Sequence, residues 1–175
     1  PCAMKHLSHF LISLSASLLL CLTSINTYAQ KHNKYSDSYN FRKGMEALDE
    51  RDSKKAEESF TKEIEEHPGN GYAYLYLAHI QLHNDEYGKA LSSIDNAIKY
   101  IPKKDKEYKG ACHYKRAGIY RALDKNEEAI SDFTLAISYN PEDDDSYWER
   151  AQIYYEQKEY DLADADYKAM QKIDA

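Results

Sequence analysis

The chain has 175 residues, of which 30% are charged and 42% are hydrophobic, and its formal net charge is −7 at pH 7. This acidic balance makes nucleic acid and anionic membrane surfaces poor candidates as partners. Two of the three cysteines, Cys2 and Cys21, lie among the first 29 residues, which leaves Cys112 alone. The sequence therefore predicts a fold held together by packing, without a disulfide.

The first 29 residues have the order of a secretory signal peptide. Lys5 precedes an apolar stretch at 10–22, and small residues follow at 27–29. A membrane span needs about 20 apolar residues, and this stretch is shorter, so cleavage is preferred over anchoring. We predict a start at Met4, cleavage after Ala29 and a short linker at 30–36. Removal of the leader leaves 22 basic and 30 acidic residues, a net charge of −8.

From Asp37 onward the chain carries four copies of one pattern of small residues and prolines. In each copy a small residue is followed twelve residues later by an alanine, and in three copies a proline follows after twelve more. The copies lie 34 residues apart, except that 39 residues separate the second from the third. The small residues are Gly44, Ala78, Ala117 and Ala151, the alanines are Ala56, Ala90, Ala129 and Ala163, and the prolines are Pro68, Pro102 and Pro141.

This period is typical of paired helices that stack on one another. Isolated helices shorter than about 12–15 residues are marginal in water, and stacking buries the faces that a single pair leaves exposed. Small residues let two helices approach where they cross, and proline ends the second helix because it lacks an amide hydrogen. The five additional residues, within 103–109, predict a longer, charged start to the next helix or a short linker. A large side chain four positions after each alanine is expected to fill the space between units, at Phe60, Ile94, Phe133 and Tyr167.

The combined pattern of small, aromatic, alanine and proline positions resembles the tetratricopeptide repeat (TPR) family over residues 37–175. The resemblance implies an all-α fold, an α-solenoid of four stacked helix-turn-helix repeats preceded by the signal peptide. The repeats are expected at 37–70, 71–104, 110–143 and 144–175.

One departure from the family pattern concerns the aromatic residue early in each first helix. It is present as Tyr74 and Tyr147, whereas the first and third units carry Asn40 and His113. We therefore expect these two units to pack less tightly.

A second departure concerns the leucine that precedes the small residue, which survives only as Leu77. Lys43, Arg116 and Arg150 replace it in the other units. Their aliphatic stems are expected to cover apolar neighbours while their charges stay in water.

The resemblance also implies a binding surface, because first helices line the concave side of such repeats. The family's groove positions carry aromatic side chains with a few polar ones: Phe41, Met45, Tyr72, Leu75, His79, His83, Tyr114, Arg121, Trp148, Gln152 and Tyr155. Tyrosine and tryptophan give large contact areas at low conformational cost, so this set suits an extended peptide or a partner helix. The alternative is that several of these aromatics only seal neighbouring helices.

No motif in the sequence points to catalysis, a cofactor or a metal. We find no nucleophile with its base and no phosphate-binding glycine loop. His79 and His83 have the spacing of a chelating pair, but two ligands are too few for a structural zinc site, so a polar groove lining is preferred. The acidic run at 142–145 is explained by the positive end of a helix dipole, and a small helix residue is the preferred interpretation of Cys112. The sequence therefore predicts no enzyme, no cofactor and no metal site.

The functional hypothesis is a scaffold that binds other proteins or peptides in the periplasm, with secretion or tethering by an uncleaved leader as alternatives. The mature form is expected to lack a membrane span. A rival hypothesis makes the repeats the N-terminal sensory or scaffolding arm of a larger enzyme or signalling protein that continues past Ala175. The last helix carries apolar residues that lack a covering helix, which suggests either such a continuation or contact with a partner or second copy: Leu162, Tyr167, Met170 and Ile173.

Overall fold

The computed structural model of the protein describes residues 34–173, which form eight α-helices joined by short turns. The helices are α1 (Tyr39–Asp49), α2 (Ser53–Glu66), α3 (Gly71–His83), α4 (Tyr87–Tyr100), α5 (Lys106–Ala122), α6 (Asn126–Tyr139), α7 (Asp144–Glu156) and α8 (Tyr160–Ile173). Within residues 34–173 there is no strand, and each helix packs most extensively against its neighbours along the chain. The all-α solenoid of four helix pairs is thus confirmed. The signal peptide at 1–29 and most of the linker lie outside the described residues.

The five additional residues between the second and third units lengthen the start of α5. This helix has 17 residues, whereas the other seven have 11 to 14. The added turn buries Tyr108 and Lys109, and the Lys109 ammonium donates a hydrogen bond to the carbonyl of Ile98 near the end of α4. Burial lowers the pKa of Lys109. The insertion therefore fastens the second unit to the third.

The turn inside each unit contains a residue with a left-handed backbone. The φ angles lie between 58° and 63°, at Arg51, Asp85, Asp124 and Lys158. In each turn the next amide donates back to a carbonyl five residues earlier, as in the 2.8 Å bond from Asp52 to Ala47. This hydrogen bond satisfies a carbonyl of the last helical turn and reverses the chain direction.

An aromatic layer joins the first unit to the second. Phe60 lies between Phe41 of its own unit, with ring centroids 5.7 Å apart, and Tyr76 of the next unit, which stacks on it at 5.3 Å. All three rings are at most 5% exposed. The positions equivalent to Phe41 and Phe60 also hold two rings in the third and fourth units. Tyr114 lies 5.8 Å from Phe133, and Trp148 lies 5.7 Å from Tyr167, measured between ring centroids. One large side chain on each second helix thus packs beneath a first helix.

Arg116 and Arg150 form bidentate ion pairs with buried acids, so the expectation that their charges stay in water is wrong. Arg116 donates to both carboxylate oxygens of Asp132, at 2.6 and 2.8 Å. Arg150 does the same to Asp166, at 2.9 and 2.6 Å. In each unit the acid lies 16 residues after the arginine, on the second helix, and it is at most 5% exposed. In the third and fourth units, a charged pair therefore occupies the place that Leu77 has in the second unit.

The two arginines also reach back to the preceding unit. Arg116 donates to Asp95 on α4 at 2.6 Å, and Arg150 donates to Thr134 on α6 at 2.7 Å. Each guanidinium therefore links the second helices of two successive units.

His113 does not loosen the third unit, contrary to expectation. It is buried, its ring stacks on Tyr139 at 5.6 Å, and its Nδ1 lies 2.8 Å from the Oδ1 of Asp132. Burial alone raises the pKa of Asp132, but hydrogen bonds from Arg116 and His113 outweigh it and hold that pKa below its usual value. The third unit therefore replaces an aromatic contact with a buried polar network.

Gly44 provides a direct test of the close helix crossing in the first unit. A Cβ at this position would lie 2.7 Å from the ring of Phe60, which cannot move freely because Phe41 and Tyr76 hold it on both sides. We expect Gly44→Ala to lower the free energy of unfolding by about 1–3 kcal/mol, measured by urea denaturation. Gly88→Ala on α4 is the control, because no atom lies within 4 Å of its Cβ, and it should be neutral or stabilising by up to about 1 kcal/mol. Equal stabilities of the two variants would contradict the close packing.

The fourth unit tests the buried ion pair. Arg150→Leu should lower the free energy of unfolding by about 3 kcal/mol, because it leaves the buried Asp166 without its cation. The double variant Arg150→Leu with Asp166→Ser recreates the Leu77 and Ser93 combination of the second unit and should recover most of the loss. A double variant less stable than the single one, in the same urea titration, would show that the pair is not the cause.

Candidate functional site

The structure divides the eleven candidate groove residues into buried and accessible sets. Phe41, Met45, Tyr72 and Leu75 are at most 8% exposed, so they belong to the core. Phe41 is held in the aromatic layer, and the Tyr72 hydroxyl donates to Asp105 while its ring packs edge-on against Tyr108 at 5.0 Å. These four side chains offer a partner little surface. The accessible set, which we name the first-helix surface, comprises His79, His83, Tyr114, Arg121, Trp148, Gln152 and Tyr155.

His79 marks the joint between the second and third units. The Lys115 ammonium on α5 lies 3.3 Å from the Nδ1 of His79. The nearby charge of Lys115, together with burial and His83, lowers the pKa of His79 to about 3. The imidazole is therefore neutral at physiological pH, and Nδ1 accepts the hydrogen bond from Lys115. A cation at this nitrogen opposes metal binding by the pair of histidines.

Arg121 links the third unit to the fourth. Its guanidinium donates to Glu149 within α7 and, at 3.1 Å, to Glu156 at the end of the same helix. The arginine side chain is 29% exposed, and Glu156 is exposed to solvent. This cation is consequently engaged by the protein's own acids before any ligand arrives.

Tyr114 lies half-buried on α5 beside an acidic region. Burial raises the pKa of its hydroxyl, and the negative charges of Asp145, Glu149, Asp143 and Asp144 raise it further. One turn later on the same helix, Gly118 is exposed, and a Cβ there would have no atom within 4 Å. Open space therefore follows Tyr114 along the first-helix surface.

The fourth unit contributes the most exposed aromatic side chains of the set. Trp148 is 43% exposed and leans on Tyr167 of α8, whose hydroxyl accepts a 2.5 Å hydrogen bond from the Gln152 amide. Tyr155 is 58% exposed and contacts Tyr160 edge-on at 5.4 Å. These rings are held by neighbours on one side and face solvent on the other. Such an arrangement is suited to non-covalent contact with a partner.

The described residues contain one free cysteine and one close group of acids. Cys112 is fully buried, and burial raises the pKa of its thiol to about 12, so it is a poor nucleophile at neutral pH. In the described part of the chain, the one group of three or more acids, histidines or cysteines close enough to share a metal ion is Asp143, Asp144 and Asp145. Within residues 34–173, none of the helices is both long enough and apolar enough to cross a bilayer.

Sequence reasoning missed Lys115 and Glu149 as members of this surface. Both lie next to a residue that was identified, Tyr114 and Trp148, and each bonds to a residue of the preceding unit. The charge of Glu149, opposite to that of Arg121, was a weak signal, whereas Lys115 and the neutral His79 gave none. The hydrogen bonds from Lys115 to His79 and from Arg121 to Glu149 depend on the distance between successive units, which the sequence does not give.

Comparison with known proteins identifies the repeats. A profile described as "Tetratricopeptide repeat-like domain" matches residues 22–151, and a second, "Tetratricopeptide repeat", matches 144–175. A search of curated proteins finds no match.

Solved structures share the fold at low sequence identity. A tetratricopeptide repeat protein from Parabacteroides merdae is 23% identical with a TM-score of 0.67, covering 77% of this chain and 52% of that one. MamA from Desulfovibrio magneticus is 15% identical with a TM-score of 0.68, covering 97% and 92%. YrrB, described as a TPR protein with an unusual peptide-binding site, is 15% identical with a TM-score of 0.69, covering 85% and 74%. The first profile spans well over half of the sequence, so the chain belongs to the tetratricopeptide repeat-like family.

Proposed function

We propose that this protein is a non-enzymatic scaffold that binds a peptide or a partner helix on the concave side of its repeats, outside the cytoplasm. The single observation that carries the proposal is the first-helix surface, where Trp148 and Tyr155 each pack against a tyrosine of α8 and still expose part of the ring to solvent. Trp148 and Tyr155 are 43% and 58% exposed, so both rings keep apolar area that a partner could cover.

The polar members of the surface support the same function. Gln152 and Arg121 are already positioned by hydrogen bonds to Tyr167 and to two glutamates, so their conformations are fixed before binding. Preorganised side chains lose little entropy when a ligand arrives. A peptide laid across α5 and α7 would contact rings and hydrogen-bonding groups in alternation.

The relatives support a scaffold rather than an enzyme. Repeats of this family typically serve as protein-interaction scaffolds, and YrrB is a member with a peptide-binding site. Likeness of fold does not identify the ligand, because stacked repeats bind many unrelated partners.

Export is supported by the order of charge, apolar stretch and small residues in the first 29 positions. If the leader is removed as proposed, N-terminal sequencing of protein purified from its native host will find Gln30. Protein that begins at Met4 and remains with the membrane fraction would contradict cleavage. Protein that begins at Met4 and is found free in the cytoplasm would contradict export itself.

Position 118 offers a way to locate the partner. A photo-crosslinking amino acid in place of Gly118 would project into open space on the first-helix surface, whereas the same substitution at Gly88 projects from the second helix α4. Both positions are exposed, helical and free of close neighbours, so they are matched. We expect irradiation in the native host to give discrete adducts from position 118 and none of the same mass from position 88. Identical adducts from both positions, or none from position 118, would contradict binding at this surface.

A further inference from the structure

The fourth unit presents acids and an aromatic ring on one face of α7. Trp148, Glu149 and Gln152 lie three, four and seven residues after Asp145, so the four residues share one face of the helix, which we name the α7 face. α5 borders this face, since Arg121 of α5 donates to Glu149, and the charges of Asp145 and Glu149 contribute to the raised pKa of Tyr114 on the same helix. A ligand on the α7 face would therefore lie close to α5.

The charge of the α7 face and its surroundings is strongly negative. The carboxylates of Asp143, Asp144 and Asp145 lie within 4.8 Å of one another at the start of α7. Arg121 is shared between Glu149 and Glu156, and no ion pair joins a cation of residues 34–173 to the three aspartates. Burial and, after it, the charges of Asp144, Asp143 and Glu149 raise the pKa of Asp145. An added positive charge beside these carboxylates would offset their repulsion.

Trp148 lacks the cation that several other aromatic rings in this protein carry. A lysine or arginine lies 4.6 to 6.0 Å from the centroid of six tyrosine rings, at Tyr35, Tyr39, Tyr100, Tyr120, Tyr147 and Tyr154. In the described part of the chain, no such cation lies over Trp148, although tryptophan is the ring that attracts cations most strongly. Asp145 lies three residues before Trp148 on α7 and therefore on the same side of the helix. A lysine or arginine of a partner would find a ring and a carboxylate at the same place.

We infer that the α7 face binds a lysine or arginine side chain, and that the partner is therefore an extended segment rich in basic residues. This inference rests on the proposed function, because it names the kind of partner that the first-helix surface takes. The basic side chain lies over Trp148 with its charge toward Asp145, and the peptide backbone continues across the open space at Gly118. The net charge of −8 after leader removal attracts such a segment over a longer distance.

The test uses the full chain and three short, blocked peptides that differ only at alternate positions, which are lysine, glutamine or glutamate. Because Trp148 is the only tryptophan in the chain, its fluorescence reports binding at this face without a label. We expect the lysine peptide to change the fluorescence and to bind at least about tenfold more tightly than the glutamine peptide. The glutamate peptide should not bind. The affinity for the lysine peptide should fall as salt rises from low concentration to about 0.15 M.

Two variants localise the interaction. Asp145→Asn should lower the affinity for the lysine peptide about two- to fivefold, the effect of one exposed ion pair, and leave the affinity for the glutamine peptide unchanged. Trp148→Leu, followed by anisotropy of a labelled peptide, should weaken it about tenfold or more, as expected for a ring at a contact centre. Glu58→Gln, an exposed acid on α2, is the matched control and should change nothing. Circular dichroism of each variant shows whether the fold is retained.

The outcomes separate this inference from the proposed function. If the lysine and glutamine peptides bind equally, or if Asp145→Asn and Trp148→Leu bind the lysine peptide as the unmodified chain does, the preference for a basic segment is wrong while a groove remains. If no peptide binds but position 118 still gives crosslinks in the host, the inference alone falls. If no peptide binds and position 118 gives no crosslink, both proposals fall.

Discussion

The structure depends on large side chains of the second helices, which pack against the first helix of their own unit and, at Phe60, against that of the next unit as well. Phe60 shows the arrangement most completely, because Phe41 lies on one side of its ring and Tyr76 of the next unit on the other. A single helix pair cannot supply both sides of this contact, so each unit is stable only with its neighbour in place. Everything that positions the first-helix surface follows from this, since α5 and α7 are held side by side by the second helices packed behind them.

The space between the two helices of a unit is filled in two ways. The second unit closes the space between its helices with Leu77, whereas the third and fourth use Arg116 with Asp132 and Arg150 with Asp166. A buried ion pair is no more stabilising than good apolar packing, but it is costly to break and fixes the relative position of its partners. The two arginines also donate hydrogen bonds to the preceding unit. Side-chain hydrogen bonds therefore help to join the third and fourth units to their neighbours, whereas aromatic packing joins the first unit to the second. Most of the proposed binding surface, from Tyr114 to Tyr155, belongs to the third and fourth units.

The sequence was sufficient for the repeats but not for the identity of the accessible residues. Periodicity predicted the helix pairs because small residues and prolines act locally, on the crossing of two helices and on the end of one. Tyr72 was predicted in the groove but is buried, because the insertion before α5 brings Asp105 and Tyr108 over its ring. This covering depends on the direction in which the additional helical turn runs, and the repeat pattern does not specify that direction. The left-handed turn residues, such as Arg51, were not predicted because none is a glycine. Glu63 is fully buried and is held by Ser38, His67 and Asn70, a network that no local pattern announces.

The most direct test of the stacked arrangement is a nuclear Overhauser spectrum of the aromatic side chains. The structure predicts cross-peaks from the ring of Phe60 to the rings of both Phe41 and Tyr76, because the centroids lie 5.7 and 5.3 Å away. Cross-peaks to Phe41 without any to Tyr76 would show that the helix pairs form but do not stack, and the binding surface built across successive units would then not exist.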